Sequence, residues 1–171
     1  MKKLKFLALG LAGLMAFASC SKDDEETAAN FEEKSYVFGG ASRDDLPSFY
    51  TYDNGAQTKT QLGETGANVV FAFQSLDDNY RFISGTIAKN QIVNSTASET
   101  NFVLIGDATA KKFESADFSE KATSINIDKK IEKGKKAIAF KNETLKVEGF
   151  FEVTAVDTEK DEITVTVYTK K

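Results

Sequence analysis

The run EITVTVYT at residues 162–169 constrains the fold of this chain more than any other stretch. Ile163, Val165 and Val167 alternate with Thr164, Thr166 and Tyr168, and a period of two places the two sets on opposite faces of a half-buried β-strand. Shorter runs of β-branched and aromatic residues recur along the chain, each closed by a turn signal. Residues 36–38 end at Gly39-Gly40, and residues 48–52 follow Pro47 and meet Asp53-Asn54-Gly55. Asn-Gly between two such runs predicts a tight hairpin, because both central residues of that turn adopt positive φ. Residues 57–62 are then the returning strand.

The same pattern predicts a second hairpin, from residues 68–74 and 80–87 around 75–79, and a strand at 102–105 ended by Gly106-Asp107. Further strands are expected at 124–128, 137–141 and 145–157. Residues 113–122 lack alternation and form either one helical turn or a loop. Val69, Phe71 and Phe73 share one face of their strand and Val70 and Ala72 the other, so this strand is covered on both faces or lines a pocket. Nine or ten short strands with almost no helical periodicity predict an all-β domain. It is either an antiparallel β-sandwich or a small β-barrel, with a lipocalin-like barrel as the alternative. Fourteen Phe and no Trp indicate that phenyl rings fill the core. Tyr36-Val37-Phe38-Gly39-Gly40 resembles part of a kelch repeat, but such repeats run about 50 residues and a propeller needs at least four blades, more than this chain holds.

The start of the chain has a different character. Lys2, Lys3 and Lys5 precede an apolar run over residues 6–18, then Ser19 and the sole cysteine, Cys20. A basic start followed by an apolar stretch of this length reads as a secretory signal peptide; a spanning helix would need about 20 apolar residues. Phe17-Ala18-Ser19-Cys20 resembles the lipobox of bacterial lipoproteins, with Phe17 standing where leucine is more usual. The resemblance implies cleavage after Ser19 and acylation of Cys20 by several chains of the palmitate kind, since a single chain holds a protein only marginally. With one cysteine, an intramolecular disulfide is impossible. Lys22, Asp23, Asp24, Glu25 and Glu26 follow, and lysine before a short acidic run resembles the surface-export signal of Bacteroidetes-type lipoproteins. That resemblance implies a lipid-anchored outer-membrane protein facing the cell exterior. Read as charge alone, the run is a solvated linker, with the periplasmic face as the alternative location. The expected organisation is a signal peptide at 1–19, a lipidated cysteine and acidic tether at 20–34, and a single β domain at 35–171.

The chain has no histidine, which excludes Ser-His-Asp and Cys-His catalysis and the commonest transition-metal ligand. Cys20 is committed to the anchor, so thiolate nucleophiles and Cys-based zinc sites are excluded as well. Asp23-Asp24, Asp44-Asp45 and Asp77-Asp78 are adjacent carboxylates, whereas a glycosidase needs two that face each other across a bond. All three pairs fall in expected turns or in the tether, where aspartate is favoured in any case. Asp77-Asp78-Asn79 offers oxygen ligands of the kind calcium prefers, but without EF-hand spacing it reads as a turn. The expectation is therefore a non-enzymatic protein with no cofactor and no metal site. A formal net charge of −4, made more negative by loss of the N-terminal lysines, argues against a nucleic-acid partner.

Two stretches stand out as candidate binding residues. Tyr50 and Tyr52 share one strand face and present amphipathic rings, suited to stacking on sugars, to a protein partner or to cross-strand packing. Lys129, Lys130, Lys133, Lys135 and Lys136 form a basic loop, which either contacts anionic groups or is a solvated hairpin that discourages edge pairing. The expected function is a membrane-anchored β domain that binds an outer-membrane protein or a glycan. The alternative is a lipocalin-like carrier holding a small apolar ligand among Phe71, Phe73, Phe82 or Phe151.

Overall fold

The computed structural model describes residues 30–40, 42–76, 79–89, 96–127 and 136–171. Among them are ten strands: β1 (Phe31–Gly39), β2 (Phe49–Thr51), β3 (Gly55–Gln57), β4 (Val69–Leu76), β5 (Asn79–Ser84), β6 (Asn101–Gly106), β7 (Ser124–Ile127), β8 (Ala137–Asn142), β9 (Val147–Asp157) and β10 (Glu162–Lys170). Three short helices join them: α1 (Lys59–Thr65), α2 (Gly85–Ala88) and α3 (Ala110–Glu114). The strands form two five-stranded sheets, ordered β1-β10-β9-β8-β6 and β3-β2-β4-β5-β7. Every pairing between these strands is antiparallel. The protein is an all-β sandwich.

The lipocalin-like barrel is corrected. Among the described residues each sheet keeps two edge strands that pair no strand on their outer side, β1 and β6 in one and β3 and β7 in the other, so the strands do not close on themselves. The physical reason lies between the sheets, where aromatic rings from both inner faces fill the space. Phe71, Phe82 and Phe151 are fully buried, with ring centroids 5.6 Å apart for Phe71–Phe82, 5.3 Å for Phe71–Phe151 and 4.5 Å for Phe82–Phe151. Phe140 and Phe38 pack on Phe71 at 5.4 and 6.3 Å. Tilted and edge-to-face pairs of this kind gain from ring quadrupoles beyond their area burial, and a phenyl ring brings no N–H that would need a buried partner. The residues that would line a carrier's cavity touch one another instead.

Both sheets are also covered on their outer faces. Leu62 of α1 and Ala88 of α2 pack with Phe49, Val69, Ala72 and Ile83 against the second sheet. Ala110 and Phe113 of α3 cover Phe31, Ala139 and Phe150 on the first. The apolar residues on both sides of β4 follow from this double coverage. Their simple alternation is broken by a bulge, since Tyr50 pairs Phe71 but Thr51 pairs Val69. The extra residue, Val70, joins Phe71 and Phe73 in the inner core while Val69 and Ala72 face outward.

Several expected boundaries move. Residues 57–62 are not a strand: β3 ends at Gln57 and α1 begins two residues later. Thr58 caps α1, its side chain accepting from Gln61 N at 3.3 Å while the Gln61 side chain accepts from Thr58 N at 2.9 Å. This reciprocal capping box and the left-handed Gly66 at the other end define a helix where the Asn-Gly turn predicts the returning strand. The hairpin at Asp53-Asn54-Gly55 is not a two-residue turn. Thr51 pairs Gly55 across a three-residue loop, and of Asn54 and Gly55 only the glycine has positive φ, 68°. β5 stops at Ser84, whose hydroxyl caps α2. The helical turn expected within 113–122 lies earlier, at α3, and strand pairing in β1 begins at Phe31, inside the stretch assigned to the tether. The signal peptide, Cys20, Asp77 and Asp78 lie outside the described residues.

Candidate functional site

At the end of the sandwich where β1 begins, the inner faces of the two sheets diverge and leave a cleft of about 340 Å³. Alternation along β1 directs Glu32, Lys34, Tyr36 and Phe38 to the inner side; Phe38 reaches the core and the other three line the cleft. Val167 and Thr169 of β10 continue the same wall, and the β2–β3 loop with Tyr50 forms the opposite one. Three of the chain's five tyrosines meet here, at positions 36, 50 and 52. Phenylalanine fills the interior and tyrosine its mouth, where a hydroxyl can reach polar partners.

Tyr50 is the floor. It is 5% exposed, stacks on Phe71 at 4.7 Å and shares a hydrogen bond of 2.9 Å with the Thr169 hydroxyl across the sheets. Burial pushes its phenol up to about 12, with the Thr169 hydrogen bond acting in the opposite direction. Tyr36 meets Tyr50 edge-on at 5.8 Å, and burial raises its phenol as well. Its hydroxyl lies against Gly55, where a Cβ would sit only 2.6 Å from the oxygen. Gly55 thus serves both the loop's left-handed backbone and the seating of Tyr36. On the rim, Glu32 and Lys34 form an ion pair of 2.6 Å, and hydrogen bonding and charge from Lys34 hold the Glu32 carboxyl below its usual range.

Tyr52 is the exposed element, at 54%. Its ring borders the first cleft and also a second, of about 510 Å³, framed by the β8–β9 turn and the end of β10. Lys141, Lys146, Lys170 and Lys171 contribute cations to this second cleft, with Glu143 and Glu148 among them. Beneath the turn lies a buried polar cluster. The Asn142 side chain donates to Ser98 Oγ at 2.8 Å and to Thr100 Oγ1 at 2.9 Å, and accepts from Leu145 N at 3.0 Å. Thr100 Oγ1 donates in turn to the Val70 carbonyl, so the network ties the turn of one sheet to the bulge of the other.

Of the residues singled out in the sequence, Tyr50 and Tyr52 do line one cleft, but Tyr50 packs inward and only Tyr52 presents its ring. Lys136 sits at the end of β8 remote from Asn142 and Lys141, about 20 Å away at strand spacing, so it is not part of this site. Lys129, Lys130, Lys133 and Lys135 lie outside the described residues, as do Lys22, Asp23, Asp24, Glu25 and Glu26. Asp45 is occupied structurally: Arg43 bonds it at 2.8 Å and also bonds Glu162. Among the described residues, no group of three or more acidic, Cys or His side chains comes together to hold a metal ion. Of the lysines near Tyr52, Lys141 and Lys146 flank the β8–β9 turn, whereas Lys34 and Lys170 come from the first and last strands and are brought there by strand register.

Comparison with protein-family models, curated proteins and solved structures found no match.

Proposed function

We propose that this chain is a lipid-anchored outer-membrane protein, displayed outward, whose β-sandwich is a non-enzymatic domain binding a glycan at its Tyr52 end. The anchor part rests on the lipobox-like Phe17-Ala18-Ser19-Cys20 and the acidic run after it. The binding part is carried by one observation: an exposed tyrosine ring on the ridge between two open clefts, one lined by tyrosines with charged and amide groups at its rim, the other mainly by charged and amide side chains. A tyrosine platform offers its face to the apolar side of a sugar, while the surrounding polar groups meet hydroxyls. A protein partner would favour a deeper apolar pocket for an anchoring side chain, which neither cleft provides. The interior filled with phenylalanine argues against the small-molecule carrier.

The β1 strand starts beside this end, with Phe31 paired to Lys170, so the residues leading from Cys20 join the domain next to the clefts. At about 3.5 Å per extended residue, the eleven positions from Cys20 to Phe31 reach at most about 40 Å. The site is thereby kept near the membrane.

The test is made in the host. Cys20→Ser is expected to move the protein from the membrane fraction to the soluble one; persistent detergent dependence would refute the anchor. Replacing Lys22 to Glu26 by alanine is expected to abolish protease sensitivity on intact cells, and unchanged sensitivity would reduce the run to a linker. Tyr52→Ala is expected to lower retention of the protein on glycan surfaces.

A further inference from the structure

The two clefts beside Tyr52 differ in charge. On the β1 side, Glu32 and Lys34 satisfy each other and Asp53 adds a carboxylate. On the β8–β9 side cations are in excess, and they are not equally engaged. Lys170 is held by Glu148 at 2.7 Å, with its ammonium 5.9 Å above the Phe113 ring. Lys141 has only a loose contact with Glu143, at 3.7 Å. Lys146 is exposed and has no hydrogen-bond or ion-pair partner among the described residues.

Lys146 is also the residue the backbone treats specially. Its φ of 55° lies in the left-handed region, uncommon for a side chain of this size. The turn that carries it is pinned from below by the buried Asn142 amide, so this ammonium projects from a fixed base. Neither cleft has an arginine among its lining residues, although arginine supplies the fork that best matches phosphate.

We infer that the Tyr52 ridge takes an acidic saccharide of the uronic-acid kind, one sugar face on the Tyr52 ring and its carboxylate directed to Lys146 and Lys141. This rests on the glycan reading above and adds the charge of the ligand. A single carboxylate suits one or two point-charge ammoniums, and the neighbouring Glu143 and Glu148 disfavour a more highly charged group.

The experiment uses the full-length chain in detergent micelles and two matched pairs of tetrasaccharides, measured by titration calorimetry. The pairs are oligogalacturonate against oligogalactose, and a hyaluronan fragment against chitotetraose. The acidic member of at least one pair should bind about fivefold tighter than its neutral partner, the size expected of a partly exposed ion pair. Raising the salt concentration should shrink that preference. Lys146→Asn, chosen because asparagine tolerates left-handed backbone, should remove most of the preference for the acidic member; Lys146→Gly should do the same. Tyr52→Ala should weaken both members. Equal binding of acidic and neutral members, or a preference untouched by both Lys146 variants, overturns the acidic assignment while sparing the glycan reading. Absence of binding by all four overturns both.

Discussion

Tyr50 and Tyr52 stand two residues apart and end in opposite surroundings. The first is sealed between Phe71 and Thr169, and the second is half in solvent. Sequence alternation puts them on one face of a single strand, and both line the first cleft. It does not show that the last ladder pair closes at Thr51, so that Tyr52 belongs to the loop and escapes the sheet. The buried position has a pH signature. An unfolded tyrosine titrates near ~10, whereas burial holds Tyr50 up to about 12. A raised folded pKa means its contribution is fully present below about pH 10 and is lost as pH rises through about 12. Tyr50→Phe should therefore flatten the alkaline loss of stability in that window, read by urea unfolding at pH 8 and pH 11. At pH 8 it should cost about 1 kcal/mol for the Thr169 hydrogen bond. An unchanged alkaline slope would mean that another group dominates.

Among the elements, α1 is where local signals compete. Residues 57–62 follow the Asn-Gly turn, where a returning strand is expected, but Thr58-x-x-Gln61 is a capping-box spacing and Gly66 supplies the left-handed stop. Those signals lie in the sequence and act locally, whereas the Asn-Gly turn only places the return of the chain. The helix is then retained because Leu62 is fully buried on the outer face of the second sheet. Thr58→Ala should lower unfolding free energy by about 1 kcal/mol, the usual cost of losing such a cap, measured by chemical denaturation. Leu62→Ala should cost more, about 2–5 kcal/mol, since it leaves a cavity under the helix. Equal costs would show that capping, not burial, holds α1. The bulge at Val70 was not legible, because nothing in VVFAF reveals which residue is extra until β2 pairs beside it.

At the scale of the whole molecule, the two ends of the sandwich are built differently. Opposite Tyr52, the β9–β10 turn is locked to both sheets through Asp161, whose carboxylate accepts from Ser42 N and Oγ at 3.2 and 2.8 Å, and from Ser75 and Tyr80. Burial alone would raise this carboxyl, but those hydrogen bonds outweigh it and hold it below its usual range. A lowered folded pKa gives stability that is present above about pH 4 and is lost as pH falls below it. Asp161→Asn keeps a residue tolerant of its φ of 54° and should lose about 1 kcal/mol at pH 7. It should also show a shallower acid limb in thermal melts between pH 5 and pH 2; an acid limb as steep as the parent's would contradict this role. The all-β class was legible because alternation and turn residues act locally. The cation cluster near Tyr52 was not, since Lys170 joins Lys141 and Lys146, which flank one turn, only through the register that sets β10 and β8 on either side of β9.

The central claim is that binding occurs at the Tyr52 end and at no other face. Amide chemical-shift mapping of the isotopically labelled full-length chain, titrated with the acidic tetrasaccharide that binds best, tests it most directly. The account predicts shifts concentrated at Tyr52, Asn54, Lys146 and Thr169, with Arg43, Asp161 and the β4–β5 end unmoved. Shifts centred on the Arg43–Asp161 end, or spread evenly over the surface, would contradict it.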